Sequence, residues 1–125
     1  MHDPRRLLAV DDDPAILRLI EHVAGGLGFA VETVADGAAF KASYLRVLPD
    51  VVTLDIFMPE VDGIELIRWL ISIEAKARVI IISGSSGLFT ELGERLATAR
   101  GSLRIAKLPK PFRVEELRDV LRDTG

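Results

Sequence analysis

The chain contains no cysteine, which excludes disulfides and thiolate-bound zinc. Nowhere do about 18 apolar residues run without interruption, so no membrane-spanning helix is expected. The opening segment Met1-His2-Asp3-Pro4-Arg5-Arg6 lacks the long apolar core of a secretory signal. These absences point to a cytoplasmic protein. A net charge of −3 gives no global attraction for polyanions, so direct contact with nucleic acid is not expected, nor is contact with a membrane. A Gly-rich phosphate loop is also missing: Asp11-Asp12-Asp13-Pro14 follows the first apolar run, which argues against a nucleotide-binding enzyme of similar architecture. Repeats, low-complexity tracts and linkers are lacking too. What remains is 125 residues, 49% hydrophobic and 28% charged, the size and composition of one globular domain over residues 1–125.

Within that domain short apolar runs alternate with longer amphipathic segments. The runs are Leu7–Val10, Ala30–Ala35, Val51–Leu54, Val79–Ile82 and a weaker Leu103–Leu108. Runs with so few polar positions suit a parallel sheet covered on both faces. Between them, Ile16, Leu19, Ile20, Val23 and Leu27 recur at helical spacing, with Asp13-Pro14 as a start and Gly25, Gly26 and Gly28 as an end. A second helix is expected from about Gly37 to Val47, ahead of Pro49. A third begins near Asp62-Gly63, with Ile64, Ile67, Leu70 and Ile71 on one face. Leu88, Phe89, Leu92 and Leu96 mark a fourth, and Val114, Leu117, Val120 and Leu121 a fifth. Five β-α repeats with short connections predict a doubly wound, five-stranded parallel sheet in the order 2-1-3-4-5 with five helices. Such sheets bind ligands beyond the carboxyl ends of their strands, where Asp11, Asp12, Asp55 and Ser83 fall.

Three clustered carboxylates repel, and left alone at least one would tend to hold a proton. A bound Mg²⁺ or Mn²⁺ removes the conflict, because such ions take one or two carboxylates together with waters and phosphate oxygens. Asp11, Asp12 and Asp55 match that need, and Lys110, set between two prolines, supplies a second positive group. With a phosphoryl donor, a carboxylate can act as nucleophile and form an aspartyl phosphate. Lys110 and the Ser83 hydroxyl would then help to neutralise the equatorial oxygens.

The residues that carry this chemistry resemble a known family, the receiver domain of two-component response regulators, with its flavodoxin-like or CheY-like fold. The carriers are Val10-Asp11-Asp12-Asp13-Pro14, Leu54-Asp55-Ile56-Phe57-Met58-Pro59 with Asp62-Gly63, Ile82-Ser83-Gly84, and Lys110-Pro111-Phe112. Each alone is weak, but four in this order are specific. The resemblance implies that Asp55 is the phosphoacceptor. Asp12, Asp55 and the main-chain carbonyl of Phe57 would ligate the metal, Asp11 acting largely through water. Ser83 would bond the phosphoryl group, Lys110 would pair with Asp55, and the Lys110–Pro111 peptide would be cis. The donor would be a sensor histidine kinase or histidine phosphotransfer protein, docking near Leu17, Arg18 and Glu21. An output domain or partner protein of unknown identity would read the face of the fourth helix, fifth strand and fifth helix, including Glu91, Glu94, Arg95, Lys107 and Arg118. The same face could form a homodimer. On this reading the chain is a signalling switch rather than an enzyme, catalysing only its own phosphorylation and dephosphorylation.

Two rival functions fit the residues less well. A haloacid-dehalogenase-type phosphatase also forms an aspartyl phosphate, but Asp11-Asp12-Asp13 matches its motif only in part and the chain leaves little room for a cap. A receiver-like module that is never phosphorylated is at odds with the intact acids and lysine. Blander readings hold elsewhere. Asp13 is explained by helix capping without membership of the acid site. His22 reads as a solvated surface residue. Trp69 falls off the apolar stripe with Ile73 nearer its side, leaving open an interface or partial burial by a neighbouring loop. The chain also departs from the family pattern. Lys107 stands where an aromatic switch residue is usual, and the segment Gly101–Lys110 is about two residues longer than the usual stretch. Activation is therefore expected to rearrange the loop after Ser83 and the fourth helix without a ring flip. Phe57, two residues past the phosphoacceptor, lies where an attacking water must pass, whereas Ser85 leaves its side open. Phe57→Asn should shorten the lifetime of the phosphorylated form in a timed dephosphorylation assay; an unchanged or longer lifetime would contradict this role.

Overall fold

The computed structural model describes residues 3–56, 63–83, 95 and 103–123. In chain order the elements are β1 (Arg6–Val10), α1 (Pro14–Gly26), β2 (Ala30–Val34), α2 (Gly37–Val47), β3 (Val51–Asp55), α3 (Gly63–Ser72), β4 (Arg78–Ser83), β5 (Arg104–Pro109) and α4 (Val114–Arg122). The strands form one parallel sheet in the order β2-β1-β3-β4-β5, as the alternation of apolar runs predicts. The fourth expected helix, Leu88–Leu96, lies outside the described residues apart from Arg95. The helix marked by Val114 and Leu121 is α4 here.

Alternation along the strands divides the core in two. On one face Leu8, Val10, Val52, Leu54, Val79 and Ile81 pack against α2 and α3. On the other, Leu7, Ala9, Val51, Ile80, Ile82 and Leu108 pack against α1 and α4. Because both faces are covered, β3 is buried throughout, down to its terminal carboxylate. Parallel pairing fixes the register, Val10 opposite Leu54, Asp55 opposite Ile82, and Ser83 opposite Pro109. The carboxyl ends of β1, β3, β4 and β5 therefore reach one edge together.

Local chemistry sets the helix boundaries. Asp13 Oδ1 accepts from Ala15 N at 2.9 Å, so Asp13 is the cap of α1, with Pro14 at the first helical position. The end of α1 falls in the glycine cluster, as expected: Gly25 and Gly26 are its last residues, and the chain turns at Gly28, whose φ of 95° suits glycine. Asp36, not singled out in the sequence, caps α2 by accepting from Ala39 N at 2.8 Å. Glu116 Oε1 accepts from Arg113 N at 2.8 Å ahead of α4.

Trp69 is half-buried, covered by α2 rather than by a loop. It stands edge-on to Phe40 and Tyr44, at centroid distances of 6.1 and 5.7 Å, and Lys41 lies over its ring at 5.9 Å. Phe40 and Tyr44 sit one helical turn apart on α2, so the three rings lock that helix onto α3. His22 is exposed on α1, as expected.

Two helix ends turn through the left-handed region without glycine. Leu48, φ 50°, follows α2, and its N–H donates to Tyr44 O at 2.9 Å. Glu74, φ 54°, follows α3, where Glu74 N bonds Ile71 O and Ala75 N bonds Leu70 O, both at 3.0 Å. These paired bonds form a Schellman turn, which usually employs glycine. At Leu48 the backbone is unfavourable for a side chain, and that side chain is 68% exposed. Relief of the left-handed penalty outweighs the flexibility that glycine adds to the unfolded chain. Leu48→Gly should therefore raise the unfolding free energy by about 1 kcal/mol and the thermal midpoint by about 4 °C. Calorimetry checks this; a lower midpoint would mean that Leu48 packs more than its exposure indicates.

Candidate functional site

Asp11 follows β1 directly. Its backbone N–H continues the sheet by donating to Val34 O at 3.3 Å, and the residue is 1% exposed. Asp55 closes β3 and is 3% exposed. Asp12, between Asp11 and the cap of α1, is exposed. Carboxylate oxygens of Asp11, Asp12 and Asp55 all lie within 4.8 Å of one another. From the next strand but one, Lys110 extends its Nζ to 3.4 Å from Asp11 Oδ2 and 3.6 Å from Asp55 Oδ2. The Lys110–Pro111 peptide is cis. Three acids and one lysine expected from the sequence are thus brought together.

Two buried carboxylates at this separation repel by roughly 3 kcal/mol at an effective dielectric of about 20. The single ammonium between them leaves the site two negative charges in excess. Burial pushes the Asp11 carboxyl above its ordinary value. The Asp13 N–H, which donates to Asp11 Oδ1 at 2.9 Å, and the Lys110 ammonium pull the other way, while the Asp12 carboxylate adds to the rise. Asp13 therefore serves the site through its backbone while its side chain caps α1, a dual role that the sequence pattern does not display. A carboxyl resisting ionisation beside two others is a set of hard oxygen donors short of positive charge, which is what a small divalent cation requires. Asp11, Asp12 and Asp55 could hold such an ion.

Ser83 is the last residue of β4, one strand from Asp55 and opposite Pro109. Phe57 and the loop after Ser83 lie outside the described residues. Lys107 lies in β5, exposed and opposite Ile81. Gly63 has a structural role not read from the sequence. Its N–H donates to Ile56 O at 3.2 Å, and a Cβ there would lie 2.4 Å from Ile56 Cα. Only glycine lets α3 start so close to the chain leaving Asp55.

Comparison with known proteins agrees with this geometry. Residues 7–122 match the family model of the response regulator receiver domain. The chain belongs to that family. It is 32% identical over 114 residues to the transcriptional regulatory protein TrcR of Mycobacterium tuberculosis, covering 91% of this chain and 42% of that protein. It is 33% identical over 112 residues to the response regulator MprA of Mycobacterium leprae, covering 90% and 47%. The receiver domain thus spans about half the length of these curated relatives. Among solved structures, the chemotaxis protein CheY4 of Vibrio cholerae superimposes with a TM-score of 0.84 at 25% identity, covering 98% of this chain and all of that one. A receiver domain from Bermanella marisrubri gives the same TM-score at 28% identity, with 98% of each chain covered. Membership of the family removes the haloacid-dehalogenase alternative.

The receiver's acid site has a consequence for stability. A carboxyl whose folded pKa is raised stabilises the fold below its ordinary range, and that contribution is lost as pH rises through the folded value. Metal-free Asp11→Asn should thus melt a few degrees above wild type at neutral pH. The gap should close as pH falls below the ordinary carboxylate range. Thermal melts across pH, with chelator present, check this; a gap that does not shrink in acid would rule out the charge on Asp11 as its source.

Proposed function

We propose that Asp55 accepts a phosphoryl group and so switches a partner-binding surface. The observation that carries this reading is the convergence of Asp11, Asp12 and Asp55 within 4.8 Å, with Lys110 Nζ 3.6 Å from Asp55. An Asp55 carboxylate oxygen attacks phosphorus, forming the new O–P bond as the bond from phosphorus to the donor's imidazole nitrogen breaks. The departing electron pair stays on that nitrogen, which then takes a proton. Lys110 leaves its partial pairing with the carboxylate to meet a phosphoryl oxygen, so that charge on the product remains compensated. Ser83, at the end of the adjacent strand, offers a hydroxyl to another oxygen. Asp11, Asp12, Asp55 and the Phe57 carbonyl would hold Mg²⁺ or Mn²⁺. When bound, the ion offsets the excess negative charge of the acids and of the incoming phosphoryl group.

The donor is a sensor histidine kinase or a histidine phosphotransfer protein. A cavity of about 350 Å³ beside the site, lined by Ile16, Leu19, Lys110, Pro111 and Phe112, gives an approaching helix an apolar foothold next to Lys110. Leu17, Arg18 and Glu21 of α1 flank that approach. The output is a further domain or a separate protein, and the face that includes β5, α4 and Lys107 would serve it or a homodimer. A cytoplasmic location fits this role; among the described residues, no helix is long and apolar enough to cross a membrane.

Incubation with acetyl phosphate and Mg²⁺ should add one phosphoryl group by intact mass. Asp55→Ala should abolish the adduct, and chelation of the metal should suppress it. An adduct that survives Asp55→Ala would overturn the assignment of the acceptor.

A further inference from the structure

At the opposite edge of the sheet lies a second site-like feature. A cavity of about 480 Å³ opens beneath the amino ends of the strands, between the ends of α2 and α3. It lies about 17 Å from Asp55, the length of a five-residue strand. Its apolar wall comprises Tyr44, Leu45, Leu48, Pro49, Ile73 and Ala75. Leu45, Leu48 and Ile73 are 60%, 68% and 37% exposed, three of the four large apolar side chains exposed among the described residues. Scattered exposed leucines are ordinary, but their gathering around one concavity is not. Leu48 also holds the left-handed backbone that glycine would occupy at lower cost.

The polar part of the wall is basic on balance. Arg5 precedes β1, Lys76 precedes β4, and Arg104 opens β5. Arg78, beside Arg104 in register but outside the lining, has a buried Nε with no hydrogen-bond partner among the described residues. Neither Lys76 nor Arg104 is held in an ion pair among the described residues. The lining also holds two acids, Asp50 and Glu74, so its three cations exceed its anions by one; one Asp50 oxygen is turned inward, accepting from Arg6 N at 2.8 Å. A chain of net charge −3 thus concentrates cations at the edge remote from its acid site.

We propose that this cavity binds a small amphipathic organic acid, with its apolar body against Leu45, Leu48 and Ile73 and its carboxylate toward Lys76 and Arg104. The volume lies within the range of small-molecule pockets, and the charge selects an anion over a neutral or cationic analogue.

Octanoate is a suitable probe, with 1-octanol and octylamine as neutral and cationic counterparts. Titration into the ¹⁵N-labelled chain should give saturable amide shifts at Leu45, Leu48, Ile73–Lys76 and Arg104. Affinity should exceed that for octanol by about tenfold, a difference of about 1.4 kcal/mol, and octylamine should not saturate. Lys76→Glu with Arg104→Glu should remove the preference for the acid while leaving the remaining amide spectrum folded. Leu48→Gly should weaken octanoate binding even as it raises stability, which separates a binding role from a structural one. Absence of saturable shifts, equal binding of the three probes, or octanoate affinity unchanged in the charge-reversed or Leu48→Gly chain would overturn the proposal.

Discussion

Two buried carboxylates and an exposed third sit within 4.8 Å of one another, with one ammonium to compensate them. Such a grouping is unstable by itself, and much of the fold acts to enforce it. The parallel register brings the ends of β1 and β3 side by side, and burial of both sheet faces prevents β3 from sliding its carboxylate toward water. The Asp13 N–H fixes one oxygen of Asp11, and the cis Lys110–Pro111 turn lies where the lysine reaches both acids. Electrostatic cost concentrated at one edge is what makes a receiver domain responsive: an added cation or phosphoryl group meets an environment already out of balance.

The same polarity has a counterpart at the other end. Acids lie where the strands finish and arginines where several of them start, with Arg6, Arg78 and Arg104 opening β1, β4 and β5. Left-handed turns at Leu48 and Glu74 lie on that far edge, where the chain departs from the residues a helix end prefers. The sheet thus separates two chemically opposite surfaces by the length of its strands.

Much of the fold was legible because its periodicities are strong. The boundaries of α2 and the start of α3 match the sequence reading, and the strands differ by one or two residues at their ends. Finer detail has local causes. Gly25 and Gly26 are the last residues of α1, as the glycine cluster indicates, but neither needs a positive φ, which falls to Gly28. Leu66 is fully buried because it lies one turn before Leu70 and widens the stripe of Ile64, Ile67 and Leu70. Trp69 lies off the stripe, as its spacing indicates, but which neighbour covers it depends on Phe40 and Tyr44 of another helix.

The sequence by itself determined the class of fold, the identity of the acids and lysine, and the chemistry they could perform, because strand ends, caps and prolines are local signals. Tertiary structure alone decided that Asp11 is buried while Asp12 is exposed, that Lys110 reaches both Asp11 and Asp55, that Gly63 must lack a side chain, and that exposed leucines meet basic side chains beneath the sheet. These facts depend on distances between residues far apart in the chain, which register and packing set and no local pattern encodes.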